Sequence, residues 1–180
     1  MLAYVFWHYP RAGINGLDYE TALLEFQRVF RKAGDCVGIQ SFRLDAVPWF
    51  NAGSPSYMDW HVVEDSAKLD GVNAHAVSGE RLIPHNAVAA MTGGSTGCLY
   101  RFEHSGCAIE EARRAVWLSK PDGMPYAEFR ASLRPLHRVG VSVLQRQMAL
   151  GPGPEFCVLS IEELSLAGEA RVLTAVGGER

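Results

Sequence analysis

Hydrophobic and polar positions follow two different periods along the first part of the chain. Residues 2–9 form a run of aromatic and β-branched side chains, which predicts a strand. After a turn, apolar residues between Asp18 and Phe30 recur every three or four positions, which predicts an amphipathic helix. Asp18 is a suitable N-cap for this helix, and Gly34 is a suitable residue to end it. Two alternating stretches then predict further strands, at residues 37–44 and 57–63.

The same order of elements returns later in the chain. A strand is predicted at 114–119, a helix at 125–136, and further strands at 140–147 and 156–161; Trp7 and Trp117 hold corresponding places in the two copies. The first copy continues with predicted helices at 66–77 and 84–91 and a strand at 98–104. The second copy keeps a reduced version, with residues 162–168 followed by a strand at 170–176. We therefore expect two homologous units, residues 1–109 and residues 110–180.

Each copy has the order β-α-β-β-α-β, which is the ferredoxin-like unit. Helices cover one face of such a sheet, so the other face needs a cover, and two copies can cover each other. The sequence thus predicts an α+β fold in which two tandem ferredoxin-like repeats form a single-chain barrel with facing antiparallel sheets. In element order and repeat, the chain resembles the dimeric α+β barrel superfamily in its tandem form. That group includes antibiotic-biosynthesis-type monooxygenases, EthD-like and NIPSNAP-like proteins, and haem-containing chlorite dismutase relatives.

Strand periodicity sorts the side chains of the first copy into two faces, because successive residues of a strand point to opposite sides. One face is apolar, and we expect it to pack on the helices; its members include Val5, Trp7, Phe42, Met58, Trp60 and Tyr100. The opposite face is more polar, and we expect it to line a cavity between the two sheets. A few convergent polar groups among apolar walls are typical of a small-molecule site.

Candidate functional residues come from this polar face. We predict catalytic roles for three: His8 as proton acceptor, Asp59 as the group that orients it, and Arg101 as the cation that stabilises developing negative charge. Arg43 is a second candidate for the last role. The predicted ligand-binding residues are Tyr4, Phe6, Arg43, His61 and Glu103. The resemblance implies cofactor-independent monooxygenase-, isomerase- or lyase-type chemistry on a small aromatic or ketide-like ligand.

Two other functions remain open from the sequence alone. In one, the charged face is a structural layer of salt bridges, and the chain is a non-enzymatic binding or assembly module that can form a homodimer. In the other, suggested by the chlorite dismutase relatives, the chain binds haem through His61 or His137. No metal site is predicted, because the histidines lack the spacings of familiar zinc sites.

The composition of the chain limits the classes of partner and the cellular location that we expect. With 17 Lys and Arg against 20 Asp and Glu, the net charge is −3, and basic residues do not cluster, so we expect no nucleic-acid or membrane partner. The first residues lack the basic region and cleavage site of a signal peptide. The four cysteines are scattered without a CxxC pair. These features predict a cytoplasmic protein with reduced cysteines.

Overall fold

Nine antiparallel strands form one sheet that is nearly closed into a barrel, and helices cover its outer side. The computed structural model describes residues 1–50, 55–148 and 151–177. The strands are β1 (Leu2–Pro10), β2 (Gly38–Leu44), β3 (Ser56–Val63), β4 (Thr92–Ser105), β5 (Arg114–Leu118), β6 (Val141–Arg146), β7 (Phe156–Ser160), β8 (Glu169–Val172) and β9 (Thr174–Ala175). The four α-helices of the described residues are α1 (Gly16–Arg31), α2 (Ser66–Ala76), α3 (Leu82–Met91) and α4 (Tyr126–Leu133). The α+β class predicted from the sequence is confirmed.

Two element boundaries differ from the sequence prediction. Helix α1 begins earlier than expected, because the side chain of Asn15 accepts a hydrogen bond from the Leu17 amide at 2.8 Å and caps the helix. Asp18 instead lies in the first turn, where its negative charge favours the helix dipole. Strand β4 begins six residues before the predicted strand, because the stretch Gly93–Gly97 is extended and pairs with β1. This second difference changes which residues lie beside His8.

The strand order is β8-β5-β7-β6-β4-β1-β3-β2-β9. Strands β4, β1, β3 and β2 of the first half follow the same order as β8, β5, β7 and β6 of the second half. Hydrogen bonds between β4 and β6 join the two halves, so the facing sheets expected from the sequence are parts of one sheet. The division into two repeats at residue 109 stays a prediction, and the shared strand order agrees with it.

One short segment near residue 173 connects the two ends of the sheet. Strand β8 pairs with β5, and β9, which begins two residues later, pairs with β2. Leu173 lies between the two strands; its amide donates to the Arg113 carbonyl at 2.9 Å, and the Val176 amide donates to the Ser41 carbonyl at 2.9 Å. A single stretch of backbone therefore covers both sheet edges, which would otherwise expose unpaired N–H and C=O groups.

The apolar face of the strands points into the barrel and not toward the helices, so the expected orientation of the sheet is wrong. Val5, Trp7 and Trp60 of the first half share one buried cluster with Trp117 and Leu159 of the second half. The Trp7 and Trp117 ring centroids are 6.5 Å apart. A closed barrel of this size leaves an interior that side chains fill, and the most apolar face fills it best. The polar face consequently points outward, under the helices.

Leu173 gives a direct test of barrel closure. We expect Leu173→Ala to lower the free energy of unfolding by about 2–5 kcal/mol, because this 3% exposed side chain belongs to the barrel core. The neighbouring Val172→Ala is the matched control, since Val172 is 58% exposed and its truncation should change stability by less than about 0.5 kcal/mol. Urea denaturation of both variants measures the difference. Equal losses would show that the segment does not pack as described.

Among the described residues, no helix combines the length and the apolar character that crossing a bilayer would require.

Candidate functional site

A cavity of about 770 Å³ lies between the outer face of the first-half sheet and helices α1, α2 and α3. Its existence follows from the sequences of α2 and α3. Within these two helices, both fully described, Val72 is the only residue that is buried. The helices therefore arch over the sheet without filling the space beneath them. This cavity, and not a space between two sheets, is where the polar face of the strands is found.

The floor of the cavity consists of outward-facing residues of β1 and β3, which are adjacent and antiparallel. The pairing places Tyr4 opposite His61, Phe6 opposite Asp59, and His8 opposite Tyr57. All six side chains project from the same face, because each strand contributes every second residue. The alternating pattern of the sequence thus brings two histidines and one carboxylate together. We call His8, Asp59 and His61 the acid–base cluster.

His8 is held from both sides. Its Nε2 lies 3.3 Å from Asp59 Oδ2, and its Nδ1 lies 2.6 Å from the Tyr19 hydroxyl. Tyr19 in turn lies 2.9 Å from the Thr92 hydroxyl, which donates its proton to the Val88 carbonyl. Tyr19 has a single hydroxyl proton, which it donates either to Thr92 or to His8 Nδ1; in the second case a neutral His8 carries its own proton on Nε2. The chain of hydrogen bonds leaves Nε2 as the His8 nitrogen on the Asp59 side.

Burial and neighbouring charges determine the protonation of the other two members of the cluster. Burial in itself raises the pKa of Asp59, but the nearby His8 and His61 rings more than offset it and hold this pKa below the ordinary 3.8. Burial is the main cause that lowers the pKa of His61 below its ordinary 6.5. At neutral pH, Asp59 is therefore an ionised carboxylate and His61 is a neutral imidazole.

Three polar atoms of the cluster lack a hydrogen bond. Among the described residues, His8 Nε2, Asp59 Oδ1 and His61 Nδ1 have no aligned partner, although all three residues are buried. An unsatisfied buried polar group costs about 1–3 kcal/mol. In native structures such groups are explained by stored strain, by an ordered water or ion, or by a function, and here they are concentrated on the floor of a cavity. The cluster therefore has the character of a site that contacts a ligand.

Aromatic rings surround the cluster. Helix α1 supplies Phe26 and Phe30, and Phe30 meets the His61 ring edge-on at 5.2 Å. Phe6 stacks on His8 at 5.7 Å. Such walls are suited to a flat, largely apolar ligand.

The structure brings together five of the eight residues predicted for the site. The five that line the cavity are His8, Asp59, Tyr4, Phe6 and His61. Arg101 does not line the cavity. It pairs with Leu2, which lies six residues from His8 along β1, so Arg101 is about 20 Å from His8. Arg101 instead forms a surface ion pair with Glu103 at 3.3 Å, so both of these predictions are wrong. Arg43 is also outside the lining, where its Nε donates to Glu20 at 2.8 Å.

Arg43 nevertheless supports the cluster indirectly. Glu20 accepts hydrogen bonds from both Arg43 and the Tyr57 hydroxyl, the latter at 2.9 Å. The Tyr57 ring stacks on His8 with centroids 5.7 Å apart. Glu20 therefore fixes a ring that packs against the catalytic candidate.

Sequence analysis missed Tyr19, Thr92 and the cavity-facing residues of α2 and α3. Tyr19 fits the apolar stripe of α1, so nothing distinguishes it from a core residue until its hydroxyl is seen beside His8. Thr92 lies where the sequence suggested a loop. The nearly apolar pattern of α3 is the one signal that could have indicated a helix over a cavity, because it gives that helix no clear polar face.

The second half shows what this part of the sheet looks like without a site. Where β1 and β3 pair Phe6 with Asp59, β5 and β7 pair Val116 with Val158. Where β1 and β3 pair His8 with Tyr57, β5 and β7 pair Leu118 with Phe156. Together with residues of α4, these side chains form a buried apolar cluster. The fold therefore does not require a buried histidine and carboxylate at these positions.

Metal and haem chemistry were both tested against the residues present. In the described part of the chain, no group of three or more His, Cys, Asp or Glu side chains is arranged to hold a metal ion. Haem carries two carboxylates that need cationic partners, yet no Lys or Arg lines the described cavity, which has Asp59 and Asp70 instead. His137, the other axial candidate, is exposed and stacks on His104 at 4.8 Å, outside the cavity. The residues do not fit haem.

Comparisons with solved structures support the fold. A candidate monooxygenase from Fusobacterium nucleatum subsp. nucleatum is similar with a TM-score of 0.60 and 8% identity, over 97% of this chain and 92% of that chain. A candidate chlorite dismutase is similar with a TM-score of 0.55 and 10% identity, over 98% and 95%. An anthrone oxidase-like protein is similar with a TM-score of 0.52 and 14% identity, over 97% and 90%. At these identities the likenesses show the fold alone.

At sequence level the result is different: no protein-family profile matches the chain, and no curated protein matches it.

Proposed function

We propose that this chain is an enzyme that binds a small ring compound in the cavity under α2 and α3 and moves a proton on it. The observation that carries the proposal is the acid–base cluster: His8, Asp59 and His61 line an aromatic cavity, and each has a buried polar atom without an aligned hydrogen-bond partner among the described residues. The apolar residues at the same positions of the second half support a functional origin for these polar groups.

His61 is the general base in this proposal. It is neutral at neutral pH because burial lowers its pKa, and its Nδ1 is unpartnered among the described residues. His8 Nδ1 is occupied by Tyr19, so His8 acts through Nε2 as the proton donor, and Asp59 orients it. This assignment differs from the sequence prediction, in which His8 was the proton acceptor.

The reaction that suits these groups is enolisation. His61 Nδ1 takes a proton from a carbon next to a carbonyl, and the electron pair of that C–H bond moves into the substrate to form an enolate. His8 Nε2–H donates to the enolate oxygen, which takes over the stabilising role predicted for Arg101. Returning the proton to another carbon completes an isomerisation without a cofactor. An oxygenase reaction would begin with the same proton removal and would require dioxygen as a co-reactant.

Deuterium exchange tests the proposal. We expect the protein to accelerate exchange of the C1 protons of 2-tetralone, a neutral aromatic ketone, in D2O, as followed by proton NMR. His61→Gln should slow the protein-catalysed exchange by about 10²–10⁴-fold, the usual contribution of a positioned base. His137→Gln is the matched control, because His137 is exposed and lies outside the cavity.

Two results would contradict the proposal. The first is wild-type exchange no faster than in buffer containing the same concentration of imidazole. The second is full activity in His61→Gln.

A further inference from the structure

The charges around the cavity are unbalanced. Its described lining contains two carboxylates, Asp59 on the floor and Asp70 on α2, and neither lysine nor arginine. Arg43 lies outside the lining and is held by Glu20 at 2.5 Å. Arg11 lies outside the lining, where it is exposed and reaches the Thr92 carbonyl at 3.5 Å. A ligand with a carboxylate or phosphate would therefore enter the cavity without a partner for its charge, which is costly in a buried site.

Asp59 sets the polarity of the ligand group that reaches the floor. The residue is 4% exposed and its Oδ2 faces His8. The Ser41 hydroxyl on the paired strand β2 lies close enough to lower the pKa of Asp59, but Oδ1 has no aligned hydrogen-bond partner among the described residues. An ionised carboxylate oxygen can only accept hydrogen bonds. The ligand atom opposite Oδ1 must therefore be a donor, and a charged donor forms a stronger hydrogen bond than a neutral one.

The aromatic lining of the cavity also favours a positively charged ligand. Tyr4, Phe6, Phe26 and Phe30 all line the cavity, and their ring faces carry negative electrostatic potential. An ammonium group within about 6 Å of such a ring is attracted to the ring face by cation–π interaction. Carboxylate and rings thus act in the same direction, and both disfavour an anion.

We propose that the natural ligand of this cavity is an arylalkylamine ketone, an aromatic compound with an aliphatic amino group and a carbonyl, bound as its ammonium cation with an N–H donating to Asp59 Oδ1. This inference rests on the proposed function, since it concerns the same cavity, and it adds the substrate class. It separates the chain from enzymes of acyl thioesters, phosphates or aromatic acids. The ring of the ligand lies among the phenylalanines, and the carbon that loses its proton faces His61.

Three naphthalenes of matched shape test the charge of the ligand: 2-naphthylmethylamine, 2-naphthylmethanol and 2-naphthoate. We expect isothermal titration calorimetry at pH 7.5 to give a dissociation constant for the amine at least about tenfold below that of the alcohol. Naphthoate should bind at least about tenfold more weakly than the alcohol. Asp59→Asn should reduce the advantage of the amine over the alcohol to less than threefold. The control Asp122→Asn should retain it, because Asp122 is exposed and lies outside the cavity lining.

The outcomes separate this inference from the proposed function. Equal affinities for the three compounds, or tightest binding of naphthoate, would overturn the amine assignment even if 2-tetralone exchange persists. The expected order of affinities without any exchange would overturn the proton-transfer proposal and support the amine assignment. If no compound binds at millimolar concentration, both proposals are wrong. The wild-type series decides these cases without any variant, so a poorly folded Asp59→Asn protein would not prevent the test.

Discussion

The double variant His8→Leu/Asp59→Val is expected to be more stable than the wild-type protein and unable to catalyse exchange. We expect the free energy of unfolding to rise by about 1–4 kcal/mol, because replacing a buried carboxylate and its polar partner by well-packed apolar residues of similar volume is often stabilising. The substituted residues are those at the equivalent positions of the second half, Leu118 and Val158, where they pack without strain. Tyr19 and Thr92 keep their mutual hydrogen bond in the variant.

Urea denaturation and the 2-tetralone assay measure the two effects in one protein. The reciprocal variant, Leu118→His/Val158→Asp, is the control, since it places the same pair in a packed apolar cluster with no acid–base partner there. We expect this control to lose at least about 3 kcal/mol, the cost of burying uncompensated polar groups. A loss of stability in His8→Leu/Asp59→Val larger than about 1 kcal/mol would instead favour the structural role of the charged face.

Acidification is expected to destabilise the protein in two separate pH windows. The pKa of His61 is lowered in the folded state, so the unfolded chain binds more protons below the ordinary value of 6.5. Stability contributed by neutral His61 is therefore present above pH 6.5 and is lost as the pH falls from 6.5 to the folded pKa. The pKa of Asp59 is also lowered, and its contribution is lost in the same direction, beginning near the ordinary value of 3.8. Each group changes stability by at most about 1.4 kcal/mol per pH unit.

Variants assign the two windows. Urea denaturation between pH 7.5 and pH 3 measures the free energy of unfolding. In the window below pH 6.5, this free energy should fall less for His61→Gln than for the wild type. Asp59→Asn should remove the lower-window contribution, and His137→Gln should leave the His61 window unchanged. A stability that increases between pH 6.5 and pH 5 through His61 would contradict the assignment of this histidine as a neutral buried group.

The residues that share a strand face could be predicted from the sequence, but the direction in which that face points could not. Alternation grouped Tyr4, Phe6 and His8 correctly with Asp59 and His61, because the period of a strand is fixed by backbone geometry. Whether a face points into a barrel or under helices depends on closure of the sheet. That closure involves contacts across the whole chain, for example between Trp7 and Trp117, which no local pattern encodes.

Strand register is the second limit on what the sequence predicts. A strand that begins at residue 98, as the sequence predicts, places Arg101 near the end of β1 and hence beside His8. The glycines instead continue the strand: a Cβ on Gly97 would lie 2.6 Å from the Tyr4 hydroxyl, so the absence of a side chain allows β4 to run beside Tyr4. An error of six residues at a strand end moves every later residue along the sheet. The apolar stripe of α1 could be predicted from the local sequence. The hydrogen bond between Tyr19 of this helix and His8 could not, because the two residues lie on different elements.

The segment that closes the barrel also has a consequence for biosynthesis. The outer edge of β2 is complete once residue 44 has left the ribosome, but its partner β9 follows only with residues 174 and 175. At translation rates of about 5–20 residues per second, this edge stays open for several seconds or longer. A nascent chain is therefore open to pairing with other strands during that time, and a chaperone that shields the β2 edge would have most of its effect before synthesis reaches β9.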